Sequence, residues 1–131
     1  MRKMAISCVA IFVAAAPAFG ELGFKQDRDH QTTELSGLYS DSRCGKNLVS
    51  FSGKIVRRDI DRDELTVTRF VVESADGTRR TIGVIFPDYR GNFPYQVVQN
   101  GLKRLTKPGR MVSGRVLVCG PGRIETLEEI H

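Results

Sequence analysis

Hydrophobic and polar residues alternate in several short runs after residue 47. In residues 48–57, Val49, Phe51 and Ile55 fall on one side and polar residues fall on the other. A period of two is typical of a strand that buries one face. Similar alternation, or enrichment in Thr, Val and Phe, predicts four more strands. These are residues 65–73, 81–86, 111–119 and 124–130. The last is the weakest, since Ile124, Leu127 and Ile130 fit a helical turn equally well.

One helix is predicted between the third and fourth of these strands, over residues 94–105. Pro94 suits the first turn of a helix, and Pro108-Gly109 ends it. Gly101 lies in the middle and costs about 1 kcal/mol relative to Ala. The helical spacing is carried by Val97, Val98, Leu102 and Leu105.

A tight hairpin turn is predicted at Asp76-Gly77, between the second and third strands. This dipeptide favours a two-residue type I′ turn, which needs positive φ at both central residues. Residues 59–63 form a polar break before the second strand.

The first eighteen residues are predicted to be a signal peptide of bacterial type. A basic start is followed by an apolar stretch over residues 5–16 and by Ala16-Pro17-Ala18, a small-x-small cleavage signal. Cleavage would remove Arg2 and Lys3 and no acid, so the formal charge of +5 would fall to +3. We therefore expect a periplasmic or secreted protein with a flexible N-terminal arm over residues 19–43, without clear strands, and one barrel domain over residues 44–131.

Two cysteines, Cys44 and Cys119, remain after the predicted cleavage. In an oxidising compartment such a pair is expected to form a disulfide. The bridge would close a loop of about 75 residues and stabilise the fold by roughly 4 kcal/mol in the chain-entropy model. A redox role is the alternative, although redox pairs are usually close in sequence.

Two sets of residues are candidate binding groups. The first is a group of basic residues predicted to gather on one side of the first three strands, where surface ion pairs with nearby acids are the alternative. Its members are Arg57, Arg58, Arg69, Arg79 and Arg80. The second is the aromatic-rich segment 86–95, in which Tyr89 and Arg90 are the residues expected to be exposed. In the alternative, Phe86 and Phe93 fill the barrel beside the helix while Tyr89 lies on the surface.

The acidic segment 59–64 has carboxylates at alternate positions, as an EF-hand loop does. Glu64 stands where that loop needs glycine and Phe70 where it needs glutamate, so a solvated turn is the preferred interpretation. The two histidines, His30 and His131, give no zinc spacing and no convincing hydrolytic triad. The sequence predicts no catalytic residue, metal site or cofactor.

The order strand, strand, strand, helix, strand, strand resembles that of the OB-fold. The resemblance includes residues 51–56, which open the barrel, and residues 108–116, which lead into its fourth strand. It implies a mainly β fold, a small five-stranded Greek-key barrel with one helix between strands three and four, in a secreted bacterial protein. The leading hypothesis is a binding module for an anionic or sugar-like ligand. The alternatives are a calcium-dependent nuclease-like enzyme and an inhibitor or assembly partner of another secreted protein.

Overall fold

The computed structural model describes residues 22–39, 47–85 and 95–131. These residues form seven strands and one helix. In chain order, the elements are β1 (Gly23–Gln26), β2 (Thr32–Ser36), β3 (Leu48–Ile60), β4 (Val67–Glu73), β5 (Arg79–Gly83), α1 (Tyr95–Leu105), β6 (Met111–Cys119) and β7 (Ile124–Ile130). The predicted signal peptide lies outside the described residues.

Strands β3 to β7 close into a five-stranded barrel. Strand β4 is antiparallel to both β3 and β5, and β6 is antiparallel to both β3 and β7. The ring is closed by the parallel pairing of β5 with β7, where Gly83 lies opposite Thr126. This order, with α1 between β5 and β6, is OB-like. The predicted fold class is confirmed.

Strand β3 is 13 residues long and pairs with two neighbours. Its first half pairs with β6, from Leu48 to Lys54, and its second half pairs with β4, from Lys54 to Ile60. The two halves meet beside Gly53, where a Cβ atom would be 2.2 Å from the backbone oxygen of Glu73. Only glycine permits that approach.

The core fills the barrel interior. Phe51 and Ile55 from β3 meet Phe70 and Val72 from β4, and the rings of Phe51 and Phe70 have centroids 6.1 Å apart. Alternation along β6 adds Val112, Val116 and Val118 to this core. The strands therefore bury the faces that the hydrophobic pattern indicated.

Strand β7 departs from simple alternation because it contains a bulge. Arg115 and Val116 are consecutive in β6, yet they lie opposite Glu129 and Leu127, which leaves Glu128 as the extra residue. A bulge of this kind shifts the side-chain alternation by one position. Leu127 and Ile130 are consequently both buried although they are three residues apart. Their apparent helical spacing is the spacing of a bulged strand.

Helix α1 covers one end of the barrel. Val98, Leu102 and Leu105 are fully buried, as the helical spacing predicted. The helix begins at Tyr95, so the predicted start at Pro94 lies outside the described residues. Lys103 and Arg104 lie in its last turn, where basic groups favour the negative end of the helix dipole.

The N-terminal segment contains a β-hairpin, so the expectation that it lacks strands was wrong. Strands β1 and β2 pair antiparallel, and Leu35 of β2 continues the sheet by pairing with Ile130 of β7. Leu35 and Leu38 are both buried. The hairpin also packs against α1, and a Cβ atom at Gly101 would lie 2.9 Å from Thr32 Cγ2. Gly101 is thus the close-packing position between helix and hairpin.

The turn between β4 and β5 lies where it was predicted but is of a different type. The Gly77 amide donates to the backbone oxygen of Ser74 at 2.9 Å, and Gly77 has a φ of 86°. Asp76 has no positive φ, so the predicted type I′ turn is wrong. The geometry is that of a type I turn followed by a left-handed glycine.

Candidate functional site

Three of the predicted binding residues lie on one exposed surface. Residues directly opposite one another in neighbouring strands share a face of the sheet. Across β3, β4 and β5, the central row on this side therefore contains Arg57, Val71 and Thr81. The row on one side of it is Lys54–Glu73–Arg79, and the row on the other side is Asp59–Arg69–Gly83. We call this outward side of the three strands, with Arg57, Arg69 and Arg79, the arginine face.

The arginine face has an excess of positive charge. Lys54 joins the three arginines there, while Asp59 and Glu73 are its acids, so its basic residues outnumber its acidic ones by two. The side chains of Arg57, Arg69 and Arg79 have relative exposures of 65%, 58% and 64%. All three guanidinium groups are accessible to a ligand in solvent.

Ion pairs within the face orient these arginines. Arg69 Nε bonds to Asp59 Oδ2, and Arg57 Nε lies 3.8 Å from the other oxygen of the same carboxylate. Arg79 Nε donates to Glu73 Oε2 at 3.1 Å. The hydrogen bond from Arg69 is the main cause that lowers the pKa of Asp59. Exposed pairs of this kind are weak, so an anionic ligand can compete for the guanidinium groups.

The other two arginines of the predicted basic set have separate roles. Arg58 Nη1 donates to the backbone oxygen of Lys103 near the end of α1. Arg80 points away from the arginine face, 2.9 Å from Glu125 Oε1 of β7, and also bonds to the backbone oxygen of Ser50. Both serve to join elements of the fold.

The register identifies one contributor that the sequence interpretation missed. Lys54 is exposed and lies opposite Glu73, so it belongs to the arginine face. Lys54 lies between Gly53 and Ile55, on the polar side of the alternating pattern in β3. That alternation is the sequence signal that could have identified it as part of this surface.

Tyr89, Arg90 and Cys44 lie outside the described residues. Tyr89 and Arg90 belong to the segment that follows β5, the third strand of the arginine face. Cys119 is the last residue of β6. The Cys44–Cys119 bridge and the binding role of Tyr89 and Arg90 stay predictions.

The acid-rich loop between β3 and β4 uses its carboxylates to form the turn. Asp63 Oδ1 accepts the amides of Leu65 and Thr66 at 2.8 and 2.9 Å, and its Oδ2 accepts the Thr66 hydroxyl at 2.6 Å. The bond from that hydroxyl is the main cause of the lowered pKa of Asp63. Within residues 22–39, 47–85 and 95–131, no three His, Cys, Asp or Glu residues are grouped to hold a metal ion.

Among the helices in the described part of the chain, none has the length and apolar character needed to cross a membrane. No protein-family model, no curated protein and no solved structure matches the chain significantly.

Proposed function

We propose that this protein is a small binding module that holds an extended anionic ligand on the arginine face. The observation that supports this most directly is the shared exposed face of Arg57, Arg69 and Arg79. A chain of phosphates, sulfates or carboxylated sugars would provide the repeated negative charges that this face can contact.

The spacing of the strands suits a linear ligand. Neighbouring strands lie about 4.8 Å apart, so arginines on three adjacent strands span roughly 10 Å before their side chains extend further. A guanidinium group offers a planar fork of donors to an oxyanion, which a surface lysine does not. Val71 and Thr81 lie between the charged rows and offer a surface on which sugar or base rings can pack.

Two further features belong to this proposal. We infer that the protein acts in the periplasm or outside the cell, an inference supported by the basic start, apolar stretch and cleavage signal in residues 1–18. We also infer that Tyr89 and Arg90 extend the binding surface beyond β5, because their segment follows that strand. An aromatic ring beside a basic face would add stacking to charge attraction.

Binding to labelled single-stranded DNA and to a sulfated oligosaccharide, followed by fluorescence anisotropy, tests the proposal. Replacing Arg57, Arg69 and Arg79 by Gln should weaken binding by roughly tenfold or more and flatten its dependence on salt. A matched variant replaces Lys25, Lys107 and Arg115, which are exposed elsewhere, by Gln and removes the same charge. Its affinity should fall much less.

Two outcomes would contradict the proposal. Equal losses in the two triple variants would mean that net charge, and not the arginine face, attracts the ligand. Cleavage of the DNA on addition of calcium would instead support the nuclease-like alternative.

A further inference from the structure

A polar groove lies between the β1–β2 hairpin and α1, away from the arginine face. Its volume is about 380 Å³, which falls in the range of small-molecule sites. Both elements contribute residues to its walls: Gln26, His30 and Gln31 from the hairpin, and Val97, Asn100 and Arg104 from the helix.

Arg104 is the principal charged group in the groove. Its Nη1 donates to Gln31 Oε1 at 3.4 Å, a long contact for a hydrogen bond. Its Nε is buried and has no acceptor among the described residues. A guanidinium group has five N–H donors, and a buried donor without an acceptor is unfavourable. The buried Nε is out of reach of a ligand in solvent, but the terminal nitrogens donate only to Gln31 among the described residues. They therefore have donor capacity that an oxyanion would satisfy.

One carboxylate, Asp27, lies near this groove. Its Oδ1 accepts the amides of Asp29 and Gln31 at 2.9 and 3.0 Å, so the carboxylate is engaged by the turn. The bond from Gln31 is the main cause of its lowered pKa, and the charges of Arg104 and His30 lower it further. Asp27 thus reduces the positive potential in the groove without forming an ion pair with Arg104.

We propose that this groove binds a small molecule that carries an oxyanion group, either a phosphate ester or a carboxylate. Arg104 anchors the oxyanion, and the side-chain amides of Asn100 and Gln26 bond to the polar remainder of the ligand. Val97 supplies an apolar surface for its carbon skeleton. The site exists only when the hairpin is packed on α1, because each element supplies one wall. It is independent of the arginine face and of any ligand bound there.

NMR titration of the full protein with inorganic phosphate, glucose 6-phosphate, glucose and succinate tests this inference. Binding should shift the amide signals of Gln31, Asn100 and Arg104. Glucose alone should bind much more weakly, and comparison of succinate with the phosphates identifies the preferred oxyanion. Arg104→Gln should weaken binding about tenfold, as expected for loss of a charge-assisted contact.

Asp27→Asn gives a test in the opposite direction. An asparagine oxygen can still accept the turn amides, so the hairpin is retained while the competing negative charge is removed. Affinity should then rise several-fold. Arg69→Gln on the arginine face is the control and should leave these titrations unchanged.

Three results would overturn the proposal. They are no shift with any oxyanion at millimolar concentration, undiminished binding by a folded Arg104→Gln variant, and unchanged or weaker binding by Asp27→Asn.

Discussion

Glu128 is a partly buried acidic side chain that accepts a backbone hydrogen bond, and its burial disfavours the ionised carboxylate. Its Oε2 accepts the Gly37 amide at 3.0 Å, and its backbone oxygen accepts the Leu38 amide at 3.0 Å. Its Oε1 is buried and accepts no hydrogen bond among the described residues, although Arg115 Nη2 lies 3.9 Å away. Burial is the main cause that raises the pKa of this carboxyl. The bulge in β7 thus directs Glu128 toward the chain that leaves β2.

We predict that Glu128→Gln stabilises the protein by a modest amount, about 1 kcal/mol or less, near neutral pH. The amide keeps an acceptor for Gly37 and removes a charge that is costly to desolvate. Because the folded-state pKa is raised, the cost of ionised Glu128 is present above that pKa and is lost as pH falls below the unfolded-state value. Urea unfolding at about pH 7 and about pH 4 should show the advantage of the variant shrinking at the lower pH. A larger advantage at the lower pH would contradict this account.

A second prediction concerns Gly77. Its φ of 86° lies in the left-handed region, which a β-branched residue resists. Gly77→Val should therefore lower the free energy of unfolding by roughly 1 kcal/mol or more. Gly122→Val in the turn between β6 and β7 is the control, since Gly122 has no positive φ. Equal effects on the unfolding midpoints of the two variants would argue against backbone strain as the cause.

At the scale of elements, four barrel strands and the helix were predictable because each contains a sustained pattern, whereas the bulge in β7 gives it a spacing that also fits a helical turn. Strand β6 alternates from Met111 to Val116, and α1 repeats its buried residues at helical spacing. The hairpin was not predictable in the same way. Strand β1 has no fully buried residue, and β2 buries only Thr32 and Leu35. Contact of β2 with α1 and β7, and pairing of β1 with β2, support these two strands more than local alternation does.

The contact between helix and hairpin gives a third prediction. Gly101→Ala improves helix propensity by about 1 kcal/mol in isolation, but its Cβ would meet Thr32 Cγ2. We expect Gly101→Ala to destabilise the protein, and to do so less when Thr32→Ser has removed that methyl group. A double-mutant cycle should then give a coupling of about 1 kcal/mol. Additive effects would show that Gly101 and Thr32 do not restrict each other.

At the scale of the whole molecule, the sequence predicted the barrel and part of the arginine face. Arg57, Arg69 and Arg79 share a face because the register of β3, β4 and β5 aligns them. Arg58 does not join them because the bulge between Ile55 and Arg57 places it opposite the buried Phe70. Arg80 does not join them because it lies opposite the buried Val72. Register depends on long-range pairing, so the local sequence could suggest this cluster but could not select its members.

The predicted disulfide is also a property of the whole molecule. A bridge between Cys44 and Cys119 would link the chain just before β3 to the end of β6. We expect thiol titration of the mature, unfolded and unreduced protein to detect no free thiol. Reduction should then lower the unfolding midpoint, because the loop constraint on the unfolded chain is lost. One or two titratable thiols per chain before reduction would contradict the pairing.

Strand β7 has a consequence for how the chain reaches its folded state. It pairs with β6, β5 and β2, so it both closes the barrel and holds the hairpin. During synthesis, β3 to β6 leave the ribosome before the strand that joins their edges. The barrel can therefore close only after Ile124–Ile130 has been synthesised, and β3 to β6 have two unjoined edges until then.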